Sequence, residues 1–169
     1  MLKKHGSLLN NGGCVITRGE GKDLKFLLVY TGSSKKGWGF PGGKPASREI
    51  DVKIDSKTGK PYSMTTFEAA KNIPFDYQEP AVCTAYRETR EETSVEVVVG
   101  NLISNSDSFA AFFCLALDPK ALLKPLQSED PAEVEKIGWF TLEEMKAPGF
   151  LRFDSNLPIA EAASESLID

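Results

Sequence analysis

The sequence is short of the residues that most hydrolytic and metal-binding sites use. Its only histidine is His5, near the start of the chain, so a Ser-His or Cys-His catalytic arrangement would depend on that one side chain. Its three cysteines, Cys14, Cys83 and Cys114, are odd in number and widely spaced, which excludes a disulfide framework and a zinc knuckle. The expectation is three buried, reduced thiols in a cytoplasmic protein. No run approaches the roughly 20 apolar residues of a membrane span. Asn10, Asn11, Gly12 and Gly13 interrupt what would be the apolar core of a signal peptide after Lys3 and Lys4, so neither a membrane nor an export role is expected. The formal net charge of -4 provides no cationic field for duplex nucleic acid.

What remains is a globular composition. With 169 residues, 41% hydrophobic, and with ten Phe, four Tyr and two Trp, the chain has material for one core, so residues 1–169 are read as a single domain. Apolar and β-branched runs at Gly13–Thr17 and Lys25–Tyr30, joined by a turn through Gly19 and Gly21, predict a hairpin. A loop from Thr31 to Lys44 follows, rich in Gly and Pro. Residues 45–77 are polar and read as an insertion, with a turn at 55–61 and a short helix at 66–72. A helix is expected from Glu79-Pro80 to about Thr93, ended by Ser94. Strands are expected at Val95–Val99, at Ser108–Leu117 in a central position, and at Glu133–Phe140. Thr141 and Glu144 form a predicted capping box, and Pro158–Leu167 a last helix.

The chemistry concentrates in Arg87-Glu88-Thr89-Arg90-Glu91-Glu92. Glu88, Glu91 and Glu92 stand at i, i+3 and i+4, on one side of a helix, where like charges need compensation. Arg87 offers part of it, and a hard divalent cation with oxygen ligands offers more. Upstream lies Trp38-Gly39-Phe40-Pro41-Gly42-Gly43-Lys44, and downstream Glu133-Val134-Glu135-Lys136-Ile137-Gly138-Trp139-Phe140. For Trp38 two roles are open: an anchor in the core or loop, and a surface on which a base stacks.

In this order the three segments resemble the Nudix hydrolases. The family's box reads Gly, five residues, Glu, seven residues, Arg-Glu-U-x-Glu-Glu-x-Gly-U, where U is a bulky apolar residue. Arg87, Glu88, Glu91, Glu92 and Val95 match it, while Thr89 and Ser94 replace an apolar residue and the closing Gly. Counting forward from Gly43 gives Glu49 as the first glutamate of the box, and counting back from Arg87 gives Glu79. Glu79 is preferred as the one phased to the helix, and the insertion accounts for the gap.

The resemblance implies an α/β/α sandwich with a mixed central sheet. It also implies Mg²⁺- or Mn²⁺-dependent hydrolysis, by water attack at phosphorus, of a pyrophosphate linkage in a small nucleoside diphosphate derivative: a nucleotide sugar, ADP-ribose, a dinucleotide or an NTP. Carried over, Glu91 and Glu92 would be metal ligands and Glu88 a further ligand or the base. Arg87 would orient the glutamates, the Gly42 carbonyl would reach a metal, and Glu79 would complete the box at the metal. Lys44, Gly43 and Trp38 would meet the substrate. A later glutamate would join the site, Glu133 first, then Glu135 and Glu129. A Nudix-like domain that binds a nucleotide or a partner without turnover is the alternative. The insertion is open to three roles: a lid, part of a homodimer interface, or a surface excursion.

A division of charge fits this expectation. Residues 1 to 60 carry 12 basic against 5 acidic side chains, and residues 126 to 169 carry 3 against 10. A basic N-terminal third and an acidic remainder suit a site that holds phosphates and cations together.

Overall fold

A computed structural model describes residues 11–31, 36–45, 79–106, 108–129 and 131–167. Glu49 and most of the insertion, with its expected turn and short helix, lie outside the described residues.

Among the described residues there are eight strands: β1 (Gly12–Val15), β2 (Thr17–Arg18), β3 (Lys25–Thr31), β4 (Gly37–Gly39), β5 (Gly42–Gly43), β6 (Val97–Asn105), β7 (Ala110–Ala116) and β8 (Val134–Thr141). The same residues include three α-helices: α1 (Ala81–Thr93), α2 (Leu142–Met145) and α3 (Asn156–Ser166). One sheet runs β5-β1-β7-β6 and is mixed, because β1 and β7 are parallel while the other pairs are antiparallel. In the second sheet β3 pairs antiparallel with β2, β4 and β8.

Alternation along the strands divides the core in two. Cys14, Ile16, Leu27, Phe112 and Cys114 pack with Ala81 and Ala85 of α1. Val15, Phe26, Leu28 and Ala111 pack with Ile159, Ala160 and Ala163 of α3 and with Met145. β1 and β7 therefore bury side chains on both faces between helices, as a sandwiched sheet requires. No described helix is long and apolar enough to cross a membrane.

Several expectations are corrected. The predicted hairpin survives only at its tip, where Thr17 and Arg18 pair with Phe26 and Lys25. The chain leaves β3 at Ile16, and β1 joins the other sheet beside β7. A strand buried on both faces gains more apolar contact there than in a two-stranded ribbon. The Val95–Val99 strand begins at Val97 and continues to Asn105, crossing Gly100 with shifts of register.

The cysteines also differ from expectation. The parallel register of β1 and β7 brings Cys14 and Cys114 together as a disulfide with a Cα–Cα separation of 5.5 Å, and Cys83 is exposed on α1. The expected central place of β7 and the capping box at Thr141 and Glu144 are both present.

Glycine sets how closely α1 approaches the sheet. A Cβ on Gly12 would overlap the carbonyl oxygen of Ala81 and lie 3.2 Å from the amide nitrogen of Ala85. Backbone meets backbone here, with no flexible side chain to move aside. Gly12→Ala is expected to destabilise the fold by about 1–3 kcal/mol, the usual range for overpacking, as read by urea denaturation. An unchanged midpoint would show that α1 does not sit against β1 in this way.

Candidate active-site cleft

The cleft is assembled from the end of the glycine loop, one face of α1 and the turn before β8. α1 begins after Pro80, whose extended backbone starts the helix, and ends at Ser94, which takes the left-handed conformation with φ 62°. Between these ends four charged side chains are nearly sealed from water: Arg87 is 8% exposed, Glu88 6%, Glu91 9% and Glu92 4%. Buried charges persist when they are paired and hydrogen-bonded, and here Arg87 makes most of the pairs.

The Arg87 guanidinium donates from Nε to both oxygens of Glu79, at 3.2 and 3.1 Å, and from Nη2 to Glu79 Oε1 at 3.0 Å. Its Nη1 donates to Glu88 at 3.0 Å and to Glu91 at 3.1 Å. Nη2 also reaches the backbone carbonyl of Lys44 at 3.0 Å, which ties the end of the glycine loop to the helix. Burial disfavours the charged guanidinium, but the bond to Glu79 and the charges of Glu88, Glu79 and Glu91 outweigh it and hold its pKa above the ordinary value. Glu79 further accepts from the Thr84 hydroxyl at 2.8 Å.

Glu92 is held differently. Its Oε1 accepts from the Gly42 amide at 2.7 Å. Burial first, then the charge of Glu88, and more weakly those of Glu133 and Glu91, push its pKa well above the usual carboxylate range against that hydrogen bond. Gly43 makes room for a neighbour: a Cβ there would lie 2.7 to 3.0 Å from the carboxyl atoms of Glu88. Glycine at this position lets the loop approach the acidic helix without displacing the Glu88 carboxylate.

A cavity of about 580 Å³ opens beside these groups. Glu88, Glu92 and Glu133 stand in its wall with Gly42, Gly43 and the exposed Lys44. Arg152, Phe153 and Asn156 are also part of its wall, with Phe109. Asn156 is fixed by its Oδ1, which accepts from the Phe40 amide at 3.2 Å. Arg152 is fixed by its amide, which donates to the Trp38 carbonyl at 2.7 Å.

The structure therefore brings together Glu88, Glu92, Glu133, Gly42, Gly43 and Lys44. Glu91 and Glu79 instead engage Arg87. Of the two roles open for Trp38, the anchor is supported: its ring packs against Phe140 at 4.5 Å, Tyr30 at 5.5 Å and Phe150 at 6.1 Å, away from the cavity wall. Glu135 is exposed on β8, and Glu129 lies 3.9 Å from Arg90. Sequence reasoning passed over Arg152, Phe153 and Asn156. Asn156-Leu157-Pro158 carried a helix-start signal, but nothing local indicates that the Asn side chain reaches Phe40.

Among the described residues no three His, Cys, Asp or Glu side chains stand as ready ligands of one ion. The donor set at the cavity wall nevertheless suits a hard cation, because it is all oxygen and because burial, with the charge of Glu88 and more weakly that of Glu133, disfavours the bare Glu92 carboxylate.

No protein-family model and no curated protein sequence matches the chain. Solved structures do. The chain is similar to an Ap4A hydrolase of C. elegans in a binary complex, with TM-score 0.57 and 16% identity over 95% of this chain and 98% of that one. It is similar to a MutT Nudix hydrolase from Burkholderia pseudomallei, with TM-score 0.51 and 18% identity over 92% and 98%. It is also similar to the Nudix domain of Shewanella oneidensis NrtR complexed with ADP ribose, with TM-score 0.50 and 22% identity over 95% and 89%. The chain has the Nudix hydrolase fold.

A raised carboxylate pKa carries a sign for stability. The folded state holds the Glu92 proton more tightly than the unfolded chain, so this contribution is complete below the unfolded value and is lost as pH rises through the folded one. Without divalent cations, the melting temperature is expected to fall as pH rises above the ordinary carboxylate range, and Glu92→Gln to flatten that fall. Parallel slopes for the two proteins would show that Glu92 is not the group responsible.

Proposed function

We propose that this chain, built on the Nudix fold, is a Mg²⁺- or Mn²⁺-dependent hydrolase of a pyrophosphate linkage in a nucleoside diphosphate derivative. The observation that carries this reading is the gathering of Glu88, Glu92 and Glu133 in one cavity wall, with Gly43 leaving room for the Glu88 carboxylate. An all-carboxylate site needs neither histidine nor cysteine, and the sole His5 lies outside the described residues.

Glu88 and Glu92 would hold the divalent ion, with the Gly42 carbonyl and Glu133 completing the oxygen set. When bound, the ion supplies neutralisation of phosphate charge and acidification of water. Glu88, which accepts from the Arg87 guanidinium at 3.0 Å, would also take a proton from the attacking water. Arg87 is a positioning residue: it sets Glu88 and Glu91 relative to the loop and keeps Glu79 on its own far side. Lys44, exposed at the rim, would meet a phosphate oxygen as a point charge. Glu79 is better suited to hold Arg87 than to bind a metal, since its carboxylate already serves Arg87 and Thr84.

A binding-only domain remains the second reading. It is favoured by the hold of Arg87 on Glu88 and Glu91, which leaves no preassembled set of three ligands among the described residues. The Nudix domain of NrtR with bound ADP ribose is a neighbour of comparable likeness.

Turnover separates the two. Incubated with ADP-ribose, nucleotide sugars, NTPs and diadenosine polyphosphates, the protein is expected to release a nucleoside monophosphate from at least one of them with Mg²⁺ or Mn²⁺ and from none with EDTA. Glu92→Gln is expected to lower kcat by about a thousandfold. Binding of a nucleotide without any turnover would favour the second reading. Turnover that survives both EDTA and the substitution would contradict the first.

A further inference from the structure

Thr31 stands in the same cavity wall and has a buried hydroxyl that makes no hydrogen bond among the described residues. Leaving a buried hydroxyl unsatisfied forfeits a hydrogen bond that water would have supplied. Other buried threonines of this protein avoid that cost. Thr84 donates to Glu79 and to the Pro80 carbonyl, and Thr93 to the Thr89 carbonyl at 2.7 Å. Thr89 resembles Thr31 in being unsatisfied, but it lies on α1 outside the cavity wall. Thr31 differs in lining the cavity.

The backbone around Thr31 is irregular in a way that aims the residue. β3 and β8 pair in register from Lys25 to Tyr30, and then the register shifts so that Thr31 faces Val134. Bulges of this kind redirect side chains beside binding sites. The shift sets Thr31 next to the residue that follows Glu133. On its other side Thr31 pairs with Gly37 of β4, and a Cβ on Gly37 would lie 2.5 to 2.6 Å from the backbone of Arg152. One sheet position thus has the neighbour of Glu133 on one flank and a contact of Arg152 on the other.

We infer that the Thr31 hydroxyl is a binding group of this cleft, which donates to a phosphoryl oxygen of the bound substrate on the wall opposite α1, with Arg152 on the same side. The inference rests on the pyrophosphate reading above and deepens it. The acidic helix would hold an ion that neutralises one phosphate, and Thr31, with Arg152 in the same cavity wall, would take oxygens of the other. A hydroxyl serves there because it completes its hydrogen bond only when the ligand arrives, and it adds no charge beside Glu133.

Three proteins and one probe test it: wild type, Thr31→Val and Thr31→Ser, titrated calorimetrically with methylenediphosphonate, a non-hydrolysable pyrophosphate analogue, with Mg²⁺ present. Thr31→Val keeps the shape and removes the hydroxyl. It is expected to bind about tenfold more weakly and, free of ligand, to melt at or above the wild-type temperature. Thr31→Ser keeps the hydroxyl and is expected to bind within about threefold of wild type. Wild-type affinity in Thr31→Val, equal losses in both variants, or a lowered melting temperature in Thr31→Val would each overturn the inference and leave the pyrophosphate reading standing. A wild-type protein that binds no analogue would contradict both.

Discussion

The structure depends on one buried guanidinium. Arg87 lies at the junction of the helix, the glycine loop and the segment before the helix, and it bonds to a carboxylate or carbonyl from each. Without it, Glu79, Glu88 and Glu91 would meet in a region closed to water, and removing one partner of such a cluster costs about 3–5 kcal/mol. Helix propensity has little to do with the stability of α1. What holds it is the pairing of these charges and the contact of Ala81 and Ala85 with β1, where Gly12 removes the obstacle.

From that junction the cleft acquires its polarity. Arg87 neutralises Glu79, Glu88 and Glu91 in part, but Glu92 is met by the Gly42 backbone amide, while burial and the charges of Glu88 and Glu133 destabilise its carboxylate. The uncompensated charge therefore collects at the cavity wall. A cation is the species that relieves it. The other groups of the cavity, Arg152, Phe153 and Asn156 among them, are held by the pairing of the chain after β8 with Trp38 and Phe40, so both halves of the cleft hang on the glycine loop.

Much of this was legible in the sequence where the signal was local. The stretch from Ala81 to Thr93 has no helix breaker and ends at a residue that takes the left-handed conformation, so α1 could be placed closely. Thr141 and Glu144 announce their helix by a reciprocal bond that needs only three residues. β7 was recognisable as central because its apolar run has no polar face to give to water. The acidic helix was read as a candidate site from its context, since Arg87 to Glu92 alone would suit a solvated face, while the glycine loop before it and the glutamates after it stand in the order of the Nudix box.

Non-local features were not legible. Nothing in Gly13–Thr17 says that β1 will leave its neighbour in sequence and run parallel to β7. The Cys14–Cys114 pair, 100 residues apart, follows only from that pairing. Gly100 read as the end of a strand, yet β6 passes through it by shifting register. The shift at Thr31, the fixing of Asn156 by Phe40 and the enclosure of Trp38 by Phe140 and Phe150 are likewise outcomes of packing between distant segments.

The most direct measurement is the fate of solvent oxygen. If the carboxylates of this cleft direct water to phosphorus, hydrolysis of an accepted nucleotide in ¹⁸O-water with Mg²⁺ will place one labelled oxygen on a product phosphate, and Glu92→Gln will abolish the labelled product. Label found on a carbon-bound hydroxyl instead of on phosphate, or no labelled phosphate from any nucleotide that binds, would contradict the account.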